Sequence, residues 1–231
     1  FSLTAILVFF WSLREMAWPA IFRRPVNWQW ISRGFAVALP FFLSTACVNI
    51  LSYLPRYILF YTRGADQTGI FGLYAGIAVG VVNLLSTITI PSGVAVATYA
   101  FAHHGKDAFD ASIRRLWIHS AAMTVFLSGI LVVGFPLILP FVGASQYPMD
   151  WPLLALLVIA NGGQVASIVA QTALYAMHRD RQILIATLIA GVISVGLQFA
   201  LAFWAGMHGL AAAMALSMLI LTALLIRFGD H

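Results

Sequence analysis

Six long, nearly uninterrupted apolar runs constrain this chain more than any other feature. They cover about residues 35–61, 70–100, 116–142, 151–177, 182–204 and 209–226. A helix needs roughly 17–25 apolar residues to cross the hydrocarbon core of a bilayer, so each run is long enough to span, and the second is long enough to emerge. The runs are continuously apolar instead of alternating, and lipid forces every backbone amide to be paired within its own segment, so they read as helices and not as barrel strands. Of the 231 residues, 62% are hydrophobic and 8% charged, with mean hydropathy +0.96; an ordinary soluble domain carries about 25% charged residues. The expected fold is all-α, a polytopic bundle of transmembrane helices with six full spans. With short loops and no sizeable soluble domain, a catalytic globular domain is excluded.

The chain opens at Phe1 with a short apolar run over 2–13 that lacks the basic leader and cleavage site of a signal peptide. It reads as the stump of a cut span. Residues 1–34 are accordingly expected to be the end of a truncated span plus a basic cytoplasmic linker, and 35–231 a six-helix lobe. The single cysteine, Cys47, lies inside an apolar run and excludes an internal disulfide and a cysteine-based metal cluster. A formal net charge of +5 raises the possibility of nucleic acid. That footprint needs basic residues clustered on a solvated face, whereas here they sit in loops between apolar runs, so no nucleic-acid partner is expected.

Those loops give an orientation. Arg14, Arg23, Arg24 and Arg33 precede the first full run; Lys106, Arg114 and Arg115 follow the second; Arg179 and Arg181 follow the fourth; Arg227 closes the chain. The intervening loops, 62–69, 143–150 and 205–208, hold only Arg63. Basic and non-basic loops alternate, as six crossings with cytoplasmic basic loops and a cytoplasmic C-terminus require. Trp28, Trp30, Tyr147, Trp151 and Trp204 fall near span ends, where interfacial aromatics are enriched.

Polar residues inside the spans recur at helical spacing. Thr45, Asn49, Ser52 and Arg56 form one stripe, Gln164, Ser167, Gln171 and Tyr175 a second, and Thr187, Gly191, Ser194 and Gln198 a third. Hydrogen-bonding side chains are costly in hydrocarbon unless they meet partners or water, so the stripes read either as lining of a shared polar interior or as interhelical glue. Arg56 is the one Asp, Glu, Lys or Arg inside a span; all seven acids lie in loops or at span ends. It has two readings: a side chain that snorkels to the outer headgroups, or a cationic fork facing a cavity that receives an anion such as a phosphate. Pro55, just before it, is expected to kink the helix and free a backbone carbonyl.

Gly72, Gly76 and Gly80 recur every four residues and predict a strip on which another helix backbone lies closely. The string G-x-x-G-L-x-A occurs at 69–75 and again at 206–212, each time on re-entry from an outer loop, which reads as duplicated helix pairs. The stretch 103–115 reads as an amphipathic helix lying on the cytoplasmic membrane surface, with His103 and Asp107 on one face as weak metal-ligand candidates. No metal site, cofactor or catalytic residue is assigned. The nucleotide-binding string G-x-x-x-x-G-K-[ST] and the hydrolase strings H-E-x-x-H and G-x-S-x-G are missing.

Several stretches taken in order resemble one family. They are Asn49-Ile-Leu-Ser-Tyr-Leu-Pro-Arg56-Tyr57, Gly69-Ile-Phe-Gly72-Leu-Tyr-Ala75, Phe141-Val-Gly-Ala-Ser-Gln-Tyr147, Leu174-Tyr175-Ala176 followed by Arg179 and Arg181, and Gly206-Met-His-Gly209-Leu-Ala-Ala-Ala213. Together they resemble the C-terminal half of polysaccharide (O-antigen type) flippases of the multidrug/oligosaccharidyl-lipid/polysaccharide exporter superfamily. The resemblance implies one lobe of a two-lobe transporter in the bacterial inner membrane, partnered by an N-terminal lobe of the same protein. It further implies alternating access, and a polyprenyl-diphosphate-linked oligosaccharide flipped for surface polysaccharide or lipopolysaccharide biosynthesis. On it, the cavity arginine maps to Arg56, and the expected substrate-binding set is Arg56, Asn49, Ser52, Thr45, Gln164, Gln171 and Gln198, with membrane lipids around the bundle.

Three other readings compete. A cation-coupled multidrug exporter of the same superfamily would use an acid within the membrane, and these spans hold none. A membrane-embedded glycan polymerase or ligase would need a larger outer loop. A passive anchoring subunit would leave Arg56 and the stripes without a use.

Overall fold

A computed structural model describes residues 27–141 and 149–229. The expected cut span over 2–13, the basic residues Arg14, Arg23 and Arg24, and the loop residues Ser145 and Tyr147 lie outside the described residues. The chain divides into compact units Phe1–Ala38 and Leu39–His231. In the first, Asn27 accepts a hydrogen bond from the Trp30 amide at 3.0 Å, and so caps the start of the first helix.

All secondary structure among the described residues is α-helical: α1 (Trp28–Arg63), α2 (Ala65–His103), α3 (Gly105–Phe141), α4 (Trp151–Ala176) and α5 (Asp180–Gly229). All five are long and apolar enough to cross a membrane. Their outward faces are apolar as well: Val125 and Val133 are each 74% exposed and Trp204 86%. Apolar surface of this extent belongs against lipid or another protein and not against water. The chain is a membrane-embedded, multi-pass helical protein.

The loops are tighter than the sequence predicts. Residues 62–69 are helical except for Gly64, whose φ of 87° turns the chain between α1 and α2. A side chain is strained in that left-handed region, and glycine is not. The expected amphipathic surface helix over 103–115 is not a separate element. His103 ends α2, Gly105 (φ 81°) breaks the chain, and the rest forms the first turns of the continuous α3. His103 and Asp107 therefore belong to different helices; the His103 ring stacks on Tyr99 at 4.5 Å. Helix α1 runs through Pro40 and Pro55 without interruption.

Helix α5 folds back on itself. Gly206 (φ 57°, ψ −133°) interrupts it, and Arg179 Nη1 donates to the Phe228 carbonyl at 3.0 Å. Drawn straight, 50 residues would extend about 75 Å, so the limbs 180–205 and 207–229 form an antiparallel hairpin. The interface confirms it. Ala170 and Leu174 of α4 cluster with Ile183, Ala186 and Ala190 from one limb and Leu221 and Leu225 from the other.

The two copies of G-x-x-G-L-x-A do different jobs. In the second, Gly206 is the elbow, and a Cβ on Gly209 would overlap the Leu201 carbonyl oxygen. In the first, Gly69 and Gly72 have open space, and the turn is Gly64. Nor does the strip Gly72, Gly76 and Gly80 seat a helix: a Cβ at any of the three meets nothing within 4 Å. The close approach is made by Gly163 instead, whose added Cβ would lie 2.9 Å from Met218 Cβ. There Thr222 of α5 also reaches the Gly163 carbonyl at 3.3 Å.

At the end of the bundle that holds Gly64 and Gly206, the core is large and aromatic. Ile58, Leu59, Phe71, Tyr74, Phe135, Leu139, Leu153 and Leu154 cluster with Ala202 and Leu210. Tyr74 is fully buried, packs on Phe135 at 4.7 Å, and accepts the Asp150 amide at 2.9 Å. The Asp150 carboxylate caps α4 by accepting from the Leu153 amide at 3.0 Å and pairs with His208 Nε2 at 2.9 Å. One acidic side chain thus ties the start of α4 to the α5 elbow.

Candidate functional site

The polar stripes of α1 and α5 come together because small residues let the helices approach. The Ser44 and Thr187 hydroxyls share a hydrogen bond at 3.0 Å. A Cβ on Gly191 would lie 3.2 Å from Leu51 and 3.4 Å from the Cys47 sulfur, so this glycine leaves the room that α1 occupies. Below that seam the helices part around a cavity of about 300 Å³, lined from α1, α2, α4 and both limbs of α5.

Arg56, Asn49, Ser52, Gln164 and Gln198 line this cavity, as do Thr187, Gly191 and Ser194 of the third stripe. Thr45 and Gln171 do not. Thr45 lies about one turn before Asn49 and receives the Asn49 amide on its carbonyl at 3.0 Å. Gln171 lies about two turns along α4 from Gln164, beyond the cavity's reach. The second stripe is therefore divided, with Gln164 in the wall and Ser167 buried, donating to the Gln164 carbonyl at 2.8 Å. Ser44, which stands outside the stripes, joins α1 to Thr187 of α5, so Thr187 both lines the cavity and makes an interhelical hydrogen bond.

Sequence reasoning missed Asn83 of α2, Asn161 of α4, and Ser217 on the second limb of α5, all of which line the cavity. Asn161 carried a readable signal, since it stands three residues before Gln164 and shares its helix face. Asn83 carried a similar signal, since Ser86 and Thr87 follow it three and four residues on along the same helix face.

The wall mixes neutral amides and hydroxyls with apolar side chains such as Leu51, Phe71, Val79, Leu157 and Met214, and carries one formal charge. No Asp or Glu is among the lining residues. Arg56 makes no hydrogen bond or ion pair with any described residue, so its guanidinium keeps all five N–H donors. It sits seven residues before the end of α1, about 10 Å along the axis. Pro55 lacks the N–H that would engage the carbonyl of Leu51, another lining residue. Two acceptors in the wall are also notable. Ser52 donates back to the Val48 carbonyl at 2.8 Å, which leaves its oxygen able to accept. Gln198 is 2% exposed; its amide donates to Ser194 Oγ at 2.9 Å, while its Oε1 has no partner among the described residues.

Chemically, the arrangement offers a fixed cation beside a set of uncharged donors and acceptors. Such a wall suits a ligand that carries an anionic group next to many hydroxyls. It holds no nucleophile paired with a base, and among the described residues no three His, Cys, Asp or Glu side chains gather as a metal site would require.

What the fold and cavity define is a multi-pass helical membrane protein with a cationic polar recess between its helices. Comparison with family models, with curated proteins and with solved structures finds no match to this chain.

Proposed function

We propose that this chain is one lobe of a transporter that flips a polyprenyl-diphosphate-linked oligosaccharide across the bacterial cytoplasmic membrane for surface polysaccharide synthesis. The observation that carries the reading is Arg56, an exposed arginine and the one charge among the residues that line a partly polar cavity between apolar helices. A charge inside a membrane is expensive and is retained where it has work to do. A diphosphate accepts the planar fork in bidentate fashion, and neutral amides such as Asn49, Asn161 and Gln164 suit the hydroxyls of a sugar.

Helices α1 to α4 each cross once. The limbs of α5 each exceed the roughly 20 residues of a crossing, which makes six crossings and puts the C-terminus on the starting side. The basic residues support this orientation. Lys106, Arg114, Arg115, Arg179, Arg181 and Arg227 fall at the end opposite Gly64 and Gly206, which is the cytoplasmic end on the positive-inside rule. Arg63 falls at the other end, where Nη2 donates to the Phe203 carbonyl at 2.7 Å and closes the first limb of α5. Alternating access then requires a second lobe to complete the cavity wall. A cation-coupled multidrug exporter would have to draw its membrane carboxylate from that second lobe, since none is among the lining residues here.

The test uses the complete protein at matched membrane abundance. Arg56→Ala is expected to reduce export at least tenfold, and Arg56→Lys to keep part of it, because the charge survives without the bidentate geometry. Moving the arginine one turn outward, as Arg56→Phe with Phe60→Arg, should not restore export. Near-normal export by Arg56→Ala would end the anion-site reading and leave a snorkelling arginine.

A further inference from the structure

A second cavity, of about 480 Å³, opens at the basic end of the bundle, where the ends of α2, α4 and α5 meet the start of α3. Its wall is apolar and aromatic: Phe101 and Phe109 meet edge to face at 5.3 Å, with Trp117 beyond them. Lys106 and Arg179 line the same cavity, with Asp110 as the one acid among its lining residues. Arg179 is already anchored, since Nη1 donates to the Phe228 carbonyl at 3.0 Å. That bond fixes the side chain and leaves its other N–H groups available at little further cost in freedom.

We propose that this cleft binds an anionic phospholipid from the leaflet at the basic end, with an acyl chain along the aromatic wall and the phosphate at Lys106 and Arg179. Basic clefts between transmembrane helices recognise acidic headgroups in this way. Charge decides the headgroup. The cationic groups outnumber Asp110, and a zwitterionic lipid would bring its ammonium toward Lys106 and Arg179. A free phosphate would satisfy the cations and leave the aromatic wall unused. The proposal needs only that the bundle sits in a membrane; it does not depend on the transport reading or on Arg56.

The test is fluorescence quenching of Trp117 by brominated lipid, with the chain reconstituted in phosphatidylcholine vesicles. The Trp117 signal is isolated by subtracting that of Trp117→Phe. Brominated phosphatidylglycerol is expected to quench it half-maximally at a several-fold lower mole fraction than brominated phosphatidylcholine. Lys106→Gln, which leaves the Arg179 bond to Phe228 untouched, is expected to shrink that preference at least twofold, and to do so with Arg56→Ala present as well. Equal quenching by the two lipids, or an unchanged preference in Lys106→Gln, would overturn the proposal. Loss of the preference on adding millimolar inorganic phosphate would assign the cations to a soluble anion and overturn it too.

Discussion

Arg179 and Phe228 stand 49 positions apart in the sequence, yet the guanidinium of one donates to the main-chain carbonyl of the other. This bond clasps the α5 hairpin at its open end and places a cation on the C-terminal carbonyls of its second limb. Arg63 does the same for the first limb through Phe203. Each limb thus ends on an arginine from outside it, where the last carbonyls lack helical partners and the helix dipole is negative.

Removing the clasp should loosen the hairpin without unfolding the bundle. Arg179→Ala is expected to cost about 1–2 kcal/mol, the range for a charge-assisted hydrogen bond at a helix end. Thermal unfolding in detergent should show a lower midpoint, and amides near the end of α5 should exchange faster. Unchanged exchange there would mean that packing of Ile183, Leu221 and Leu225 holds the hairpin unaided.

The glycines give a sharper contrast. A methyl group on Gly209 would collide with the Leu201 carbonyl oxygen, which is backbone and cannot step aside. Gly209→Ala is therefore expected to destabilise by about 1–3 kcal/mol or more, the cost of overpacking. Gly76→Ala meets open space and should be neutral to slightly stabilising, since alanine is the better helix former by about 1 kcal/mol. Parallel melting curves decide it, and equal effects would contradict the placement of the elbow.

The six apolar runs were legible because lipid demands length and continuity, and both are visible in a bare sequence. The loops were not. A chain reverses here on one left-handed glycine, Gly64 or Gly206, and helix then propagates into the polar residues on either side, so 62–69 read as a loop and folds as helix. Arg63 was the one basic residue in the otherwise non-basic loops, and the sequence assigned it no partner. Its partner is the Phe203 carbonyl, and backbone acceptors leave no mark in the sequence. Within the cavity, Arg56, Asn49, Ser52 and the α5 stripe followed from helical spacing. Asn83 shares that spacing with Ser86 and Thr87, yet neither of those lines the cavity, so spacing alone does not single it out. The regular spacing of Gly72, Gly76 and Gly80 misled, since spacing alone does not say whether a neighbour is present.

Orientation is checked with single cysteines in a Cys47→Ala background. Asp66, beside Gly64, and Asp107 and Arg181, at the basic end, are exposed or lie in exposed turns. In intact cells an impermeant thiol reagent should label Asp66→Cys and spare Asp107→Cys and Arg181→Cys until the membrane is opened. The reverse pattern would invert the bundle and place the Lys106 cleft on the outside.

Gln198 separates a side chain kept for stability from one kept for a ligand. Its amide bonds Ser194 one turn back on the same helix, so it joins no two elements, while its buried oxygen has no protein partner. Replacing it with methionine, similar in size and flexibility, removes one hydrogen bond worth about 1 kcal/mol and relieves a buried acceptor that costs about 1–3 kcal/mol when unpaired. The two nearly cancel, so Gln198→Met should melt within a few degrees of the wild type, or slightly above it. On the proposed function, export by the complete protein should nevertheless fall several-fold, because the cavity wall loses an acceptor that has no partner among the described residues. A lower melting point with normal export would show the opposite, that Gln198 serves the packing of α5 and takes no part in binding.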